Sequence, residues 1–138
     1  MTVHTILLIC WIFYCLIEGK RDGHFYYVWS NSSNPKRANI HWLFFIDRFI
    51  VISLIDFVHS FYYSVINTLI FTIGLSLIFS FFHNGMYYIT RNNLDETVYQ
   101  EGWWASSTTS QAILEFNVQI RTIMAIIGLL AIISTYMI

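Results

Sequence analysis

The chain has 138 residues, 57% hydrophobic and 11% charged, with a formal net charge of −1. A soluble domain carries roughly 25% charged residues, so this composition points to one membrane domain and leaves no stretch for a separate soluble one. With no basic stripe to neutralise phosphates, nucleic acid is excluded as a partner.

The first apolar run, Val3–Ile17, reads as a membrane span. Met1-Thr2-Val3-His4 has no Lys or Arg, and Glu18-Gly19-Lys20 carries no small-residue cleavage pattern, so the run is expected to be retained, not removed as a secretory signal. Cys10 and Cys15 are five apart and point in different directions on a helix. Neither a mutual disulfide nor a C-x-x-C metal site fits them.

Residues 18–41 are expected to be a loop. They hold an aromatic patch, Phe25-Tyr26-Tyr27 with Trp29, and a turn cluster, Ser30-Asn31-Ser32-Ser33-Asn34-Pro35. Asn31-Ser32-Ser33 matches a glycosylation sequon.

The run from Trp42 to Phe82 is apolar almost throughout, with Gly74 its one glycine and no proline. A single helix over it would be about 60 Å long at 1.5 Å per residue, against a hydrocarbon core of ~30 Å. Two spans, 42–58 and 63–82, joined near Asp56–Ser64, resolve the mismatch. The alternative is a three-span protein with one very long helix. After a second polar loop, 83–121, a last span covers 122–138. Within that loop, Leu114 to Arg121 alternates with period two, as a strand would. Ile113, Phe116, Ile120 and Met124 also share a helical face, and a helix running into the last span is the expectation. The fold class is therefore all-α: a small polytopic transmembrane helical bundle.

Four spans place loops 18–41 and 83–121 on one side, with Lys20, Arg21, Lys36, Arg37, Arg91 and Arg121; Arg48 leans the same way. By the positive-inside rule that side is cytoplasmic. Trp29, Trp42, Trp103 and Trp104 are expected at the membrane–water interface, where amphipathic rings sit.

On a helix, His41, Arg48, Asp56 and His59 fall within about one 60° sector, and Asp47 points elsewhere. Ionisable residues in a span face a bundle interior, a water cavity or a partner. A second grouping, His24, His41 and His83 with Glu18 and Asp22, holds side chains of metal-ligand type on one side of the membrane. It matches no recognised ligand spacing. Haem between His41 and His83 is the alternative considered, but Asp47, the nearby carboxylate, points away from the His41 face. No bound metal or haem is expected. No G-x-S-x-G or glycine-rich phosphate loop is present, so no catalytic site is expected.

Glu18-Gly19-x-x-Asp22-Gly23 after a first span, with His41 and Arg48 opening a second, resembles a pattern in uncharacterised small multi-span membrane proteins of Bacteroidota and their phages. The likeness covers the first third of the chain and implies no activity. His83-Asn84-Gly85-Met86 is similar to a stretch in the membrane anchor subunits of succinate dehydrogenase. In those, a His near the membrane edge precedes a Gly and an Arg. Arg91 follows here at a different spacing, and no quinone or haem role is carried over.

These features lead to three expectations. The first is a non-catalytic structural or accessory subunit, held in the lipid bilayer by other membrane subunits or as a homo-oligomer. The others are a haem- or quinone-linked electron-transfer anchor, and a small ion- or proton-conducting oligomer.

Overall fold

A computed structural model of the protein describes residues 2–31, 41–106 and 117–137, with the backbone alone at His41 and Trp42. It holds four α-helices: α1 (Val3–Ser30), α2 (His41–Ser60), α3 (Val65–Leu94) and α4 (Val118–Ser134). A single 3₁₀ turn, Gly102–Trp104, lies between α3 and α4, and no strand occurs among the described residues.

Each helix start described has a polar side chain waiting for its first unpaired N–H groups. Thr2 Oγ1 accepts from Thr5 N at 3.4 Å, Ser64 Oγ from Asn67 N at 3.2 Å, and Asn117 Oδ1 from Ile120 N at 2.9 Å. Ser64 is the cap that makes the turn after α2 possible. The 42–82 run is not one helix: α2 ends at Ser60 and α3 begins at Val65. The sequence carries no Gly or Pro there, and the serine supplies the break instead.

Helix α3 is the axis of the bundle. Trp11 and Gly19 of α1 meet Leu75 and His83, so α1 runs parallel to it. His59 meets Thr68 and Arg48 meets His83, so α2 runs antiparallel. Gly128 meets Gly74, and Asn67 meets Thr135, so α4 is antiparallel too. Helices α1 and α4 pack along α3 extensively, whereas α2 touches α1 and α3 sparsely. The core lies where these seams meet, around Leu7, Trp11, Cys15, Ile55, Phe71, Leu75, Ile78 and Ile132.

Glycines set the two main seams. A Cβ on Gly19 would stand 2.3 Å from the main-chain oxygen of His83, and one on Gly23 would stand 2.8 Å from Thr90 Cβ. Gly74 and Gly128 face each other's carbonyl oxygens at 2.8 and 2.7 Å from their would-be Cβ positions. These are small-residue contacts of the kind that let helix backbones approach closely.

Three sequence expectations are corrected. Residues 18–30 are not loop, because α1 continues unbroken through Phe25, Tyr26, Tyr27 and Trp29 to Ser30. Residues 83–94 are likewise the last turns of α3. Packing explains both: the polar stretch after each apolar run lies on the other helix, Gly23 against Thr90 and Tyr26 against Tyr87. The helix expected to run through 113–124 instead starts at Val118, capped by Asn117, and α4 ends at Ser134, earlier than the expected span. Residues 107–116, with the strand-like part of that pattern, lie outside the described residues, as do Ser32 and Ser33 of the sequon.

Helices α1 and α3 are long and apolar enough to cross a membrane. Helix α3, with 30 residues, runs about 45 Å at 1.5 Å per residue, well beyond a ~30 Å hydrocarbon core. Helix α4 is apolar but shorter, and α2 carries Asp47, Arg48 and Asp56.

The glycine seams generate a direct expectation. Gly19→Ala and Gly128→Ala each force backbone apart, which costs about 1–3 kcal/mol as other overpacked cores do. Ile17→Ala, at an exposed position on α1, is the control. Thermal unfolding of the purified protein in mild detergent should place both glycine variants clearly below it. Equal melting of all three would mean the seams are not tight.

Candidate functional site

The buried face of α1 carries His4, Leu7, Trp11, Cys15, Glu18, Gly19, Asp22 and Gly23. This face is apolar in its middle and ionisable towards both ends. Against α3 it makes two polar clusters, one at each end of the bundle's apolar core.

The larger cluster joins α1, α2 and α3. Glu18 and Asp22 are one helical turn apart and both are buried, Glu18 with 1% of its surface exposed. Arg48 reaches across from α2. Its Nε donates to Glu18 Oε1 at 2.7 Å, and its Nη2 donates to Asp22 Oδ2 at 3.2 Å. The guanidinium lies over the Phe79 ring, 4.8 Å from its centroid. Arg21 adds longer contacts from the outside: Nη2 to Glu18 Oε1 at 3.5 Å, Nε to Asp22 Oδ1 at 3.4 Å and Nη1 to Asp47 Oδ2 at 3.2 Å.

His83 completes this cluster from α3. Its Nε2 stands 3.1 Å from Asp22 Oδ2 and 3.3 Å from Arg48 Nη2. Its Nδ1 is 2.9 Å from Asn84 Oδ1, and Asn84 Nδ2 in turn donates to Ser80 Oγ at 3.1 Å. The Ser80 hydroxyl can pair with either atom of the Asn84 amide, so the ring proton sits on Nδ1 facing Asn84 or on Nε2 facing Asp22. With the proton on Nδ1, Nε2 carries the lone pair.

The second cluster sits at the opposite end. His4 Nε2 donates to Asn67 Oδ1 at 3.2 Å, and Asn67 Nδ2 donates to the Thr135 carbonyl at 2.9 Å, tying α1, α3 and the end of α4 together. His59 pairs with Thr68 Oγ1 at 2.8 Å and is stacked between Tyr63 and Phe71, each 4.5 Å away between centroids. The His4 ring meets His59 edge-on at 4.6 Å.

A buried guanidinium closes the first end of the bundle. Arg121 has 1% exposure and donates from Nη2 to the carbonyls of Trp103 and Ala105, at 3.2 and 2.7 Å. It lies over Tyr88 at 5.0 Å. Gly85 provides the flat surface on which the Trp103 ring rests. Outside the helices, Asp95 accepts from the Thr97 hydroxyl and N–H, which hold its carboxyl below the ordinary aspartate range.

The residues singled out from sequence separate accordingly. Of the polar stripe, Arg48, Asp56 and His59 all face α1 or α3, but they do not form one connected chain. Arg48 joins the acids of α1, Asp56 accepts from Thr72 Oγ1 at 2.6 Å, and His59 belongs to the far cluster. Of the ligand grouping, Glu18, Asp22 and His83 come together, each offering an atom within 4.8 Å of the others. His24 is exposed on α1 away from them, and the His41 side chain lies outside the described residues, as does that of Trp42. Trp29 and Trp103 are partly covered and Trp104 is exposed. Cys15 is buried and Cys10 exposed, and both are free thiols.

Sequence reasoning missed His4, Asn67 and Trp11, whose indole N–H donates to the Leu75 carbonyl at 2.8 Å. A signal was present: His4, Leu7, Trp11, Cys15, Glu18 and Asp22 follow three- and four-residue spacing. Average hydropathy hides it, because the stripe mixes apolar and charged residues.

No protein-family model, curated protein or solved structure matches the chain.

Among the described residues, Arg48 is the one cation that contacts both buried carboxylates from another helix. Arg48→Met should cost about 3–5 kcal/mol, because it takes the nearest guanidinium from two buried carboxylates and leaves Glu18 only the 3.5 Å contact of Arg21. The triple variant Glu18→Gln/Asp22→Asn/Arg48→Met should recover most of that stability. Chemical or thermal unfolding in detergent checks both; failure of the triple variant to recover would show that Arg48 acts through packing instead.

Proposed function

We propose that this protein is a four-span integral membrane protein that serves as a non-catalytic accessory or structural subunit of a larger membrane assembly. The observation that carries the reading is the open groove beside Arg48. Arg48 keeps 32% of its side chain exposed. It opens onto a groove of about 270 Å³ lined by Trp11, Phe45, Phe49, Ile52, Ser76 and Phe79. A charge facing lipid tails costs about 2.5–3.5 kcal/mol on insertion scales. Closing the groove with a helix from another subunit removes that cost. Helix α2 offers such a helix a ridge of exposed Phe45, Phe49 and Phe57, spaced in multiples of four, as ridge-into-groove packing requires.

The bundle directions support a sidedness. Every Lys and Arg among the described residues, namely Lys20, Arg21, Arg48, Arg91 and Arg121, lies in the half of the bundle that holds His83. The end with His4, His59 and Tyr136 has none. The positive-inside rule puts the first end in the cytoplasm and both chain ends on the other face. The long extensions of α1 and α3 then rise out of the bilayer on the cytoplasmic side.

Topology is tested by single cysteines in a background lacking Cys10 and Cys15. His24→Cys and Glu101→Cys should react from one face and Tyr62→Cys from the other; labelling of all three from one face would overturn the arrangement. For the accessory role, a photo-reactive residue in place of Phe49 should give one discrete protein adduct in native membranes. Adducts with lipid only would overturn it.

A further inference from the structure

We propose that Glu18, Asp22 and His83 form a binding site for one divalent transition-metal ion, for which Zn²⁺ and Mn²⁺ are the natural probes. The proposal does not rest on the accessory-subunit reading and concerns the chain with the groove beside Arg48 unfilled.

Three observations converge on it. First, the three side chains are buried and offer ligand atoms within 4.8 Å of one another. Two carboxylates and an imidazole are a donor set that suits Zn²⁺, Mn²⁺ or Fe²⁺. Second, one carboxylate oxygen of the cluster lacks a partner. Glu18 Oε2 is buried with no hydrogen-bond partner, an arrangement that costs the full desolvation of that oxygen. Third, His83 is oriented as metal-bound histidines are. With Asn84 Oδ1 2.9 Å from Nδ1 and taking its proton, Nε2 directs its lone pair at Asp22 Oδ2, 3.1 Å away. In that tautomer a cation seated between Nε2 and Asp22 Oδ2 takes the place of a proton, and a carbonyl-type acceptor on the far ring nitrogen is the usual support of a ligating histidine.

Charge decides how the ion would be accommodated. With neutral His83, the carboxylates of Glu18, Asp22 and Asp47 outnumber the guanidiniums of Arg21 and Arg48 three to two. Arg48 is the present stand-in for the cation. Metal binding requires that guanidinium to leave the two carboxylates, and while no partner helix fills it, the groove that Arg48 and Phe79 both line is the space beside it. A divalent ion then balances the three carboxylates together with Arg21. Gly19 is what makes the site geometrically available, since it lets the α1 backbone lie against the main chain of His83. The expectation of no bound metal, drawn from the sequence, is replaced on this reading. Helix directions could not show that Glu18, Asp22 and His83 converge.

The experiment is equilibrium binding of Zn²⁺ and Mn²⁺ to the full chain in detergent, with bound metal measured after desalting. The wild-type chain should retain about one equivalent of one of these ions, as a three-ligand site requires. Glu18→Gln/Asp22→Asn should lose it. Asn84→Ala should weaken it by about 10-fold or more, the usual effect of removing a ligand's supporting acceptor. Arg48→Gln removes the competing cation and leaves all three ligands. It should bind more tightly than wild type and regain thermal stability when the metal is added, an outcome that misfolding cannot imitate. If neither wild type nor Arg48→Gln retains more metal than Glu18→Gln/Asp22→Asn, the site is a proton-bridged ion pair and the proposal fails.

Discussion

The close approach of α1 to α3 is the constraint on which the rest of the structure depends. Gly19 and Gly23 present backbone to α3, where any side chain would collide with His83 or Thr90. Because each glycine directly follows an acid, the same turn of helix that brings the backbones together also delivers Glu18 and Asp22 into the seam. Packing and polarity are therefore not separable here. Moving the helices apart would leave both carboxylates without His83 and weaken the hold on Arg48, and thereby on α2.

Helix α2 shows what this dependence means. It touches its neighbours sparsely, and apolar contact alone gives it little reason to choose one register over another, since such contact is non-directional. Polar contacts spaced along it supply the choice. Arg48 reaches the α1 acids, Asp56 meets Thr72 and His59 meets Thr68. Each is directional, and a slip of one residue would expose them all. Removing any partner is costly because the groups are withdrawn from water, whereas the intact pairs add little net stability. Their role is to specify the arrangement.

Helix α4 is held by a different device. Its glycine crossing with α3 fixes the middle, Asn67 grips its C-terminal end, and Arg121 secures its start to the carbonyls of Trp103 and Ala105. The aromatic and polar stretches after the two apolar runs are helical for a related reason. On α1 and α3 they lie side by side and satisfy one another through Tyr26, Tyr87 and the Gly23–Thr90 contact. Local composition reads these residues as loop, because it cannot see the neighbouring helix.

The residue order by itself determined the all-helical class, the apolar runs and the places where charge enters them. Those follow from hydropathy and helical period, which are local. It also marked Arg48, Asp56 and His59 as residues of one inward face, and Glu18, Asp22 and His83 as residues of ligand type. Tertiary structure alone decided which of them meet. Glu18 and Asp22 find His83 across 61 to 65 residues of sequence, through a glycine contact that no periodicity reports, while His24, adjacent to Gly23, is turned outward. Tertiary structure also decided that α1 and α3 continue as helices past their apolar runs. Helix length there is set by a partner's surface, and a partner's surface is not written in the local sequence.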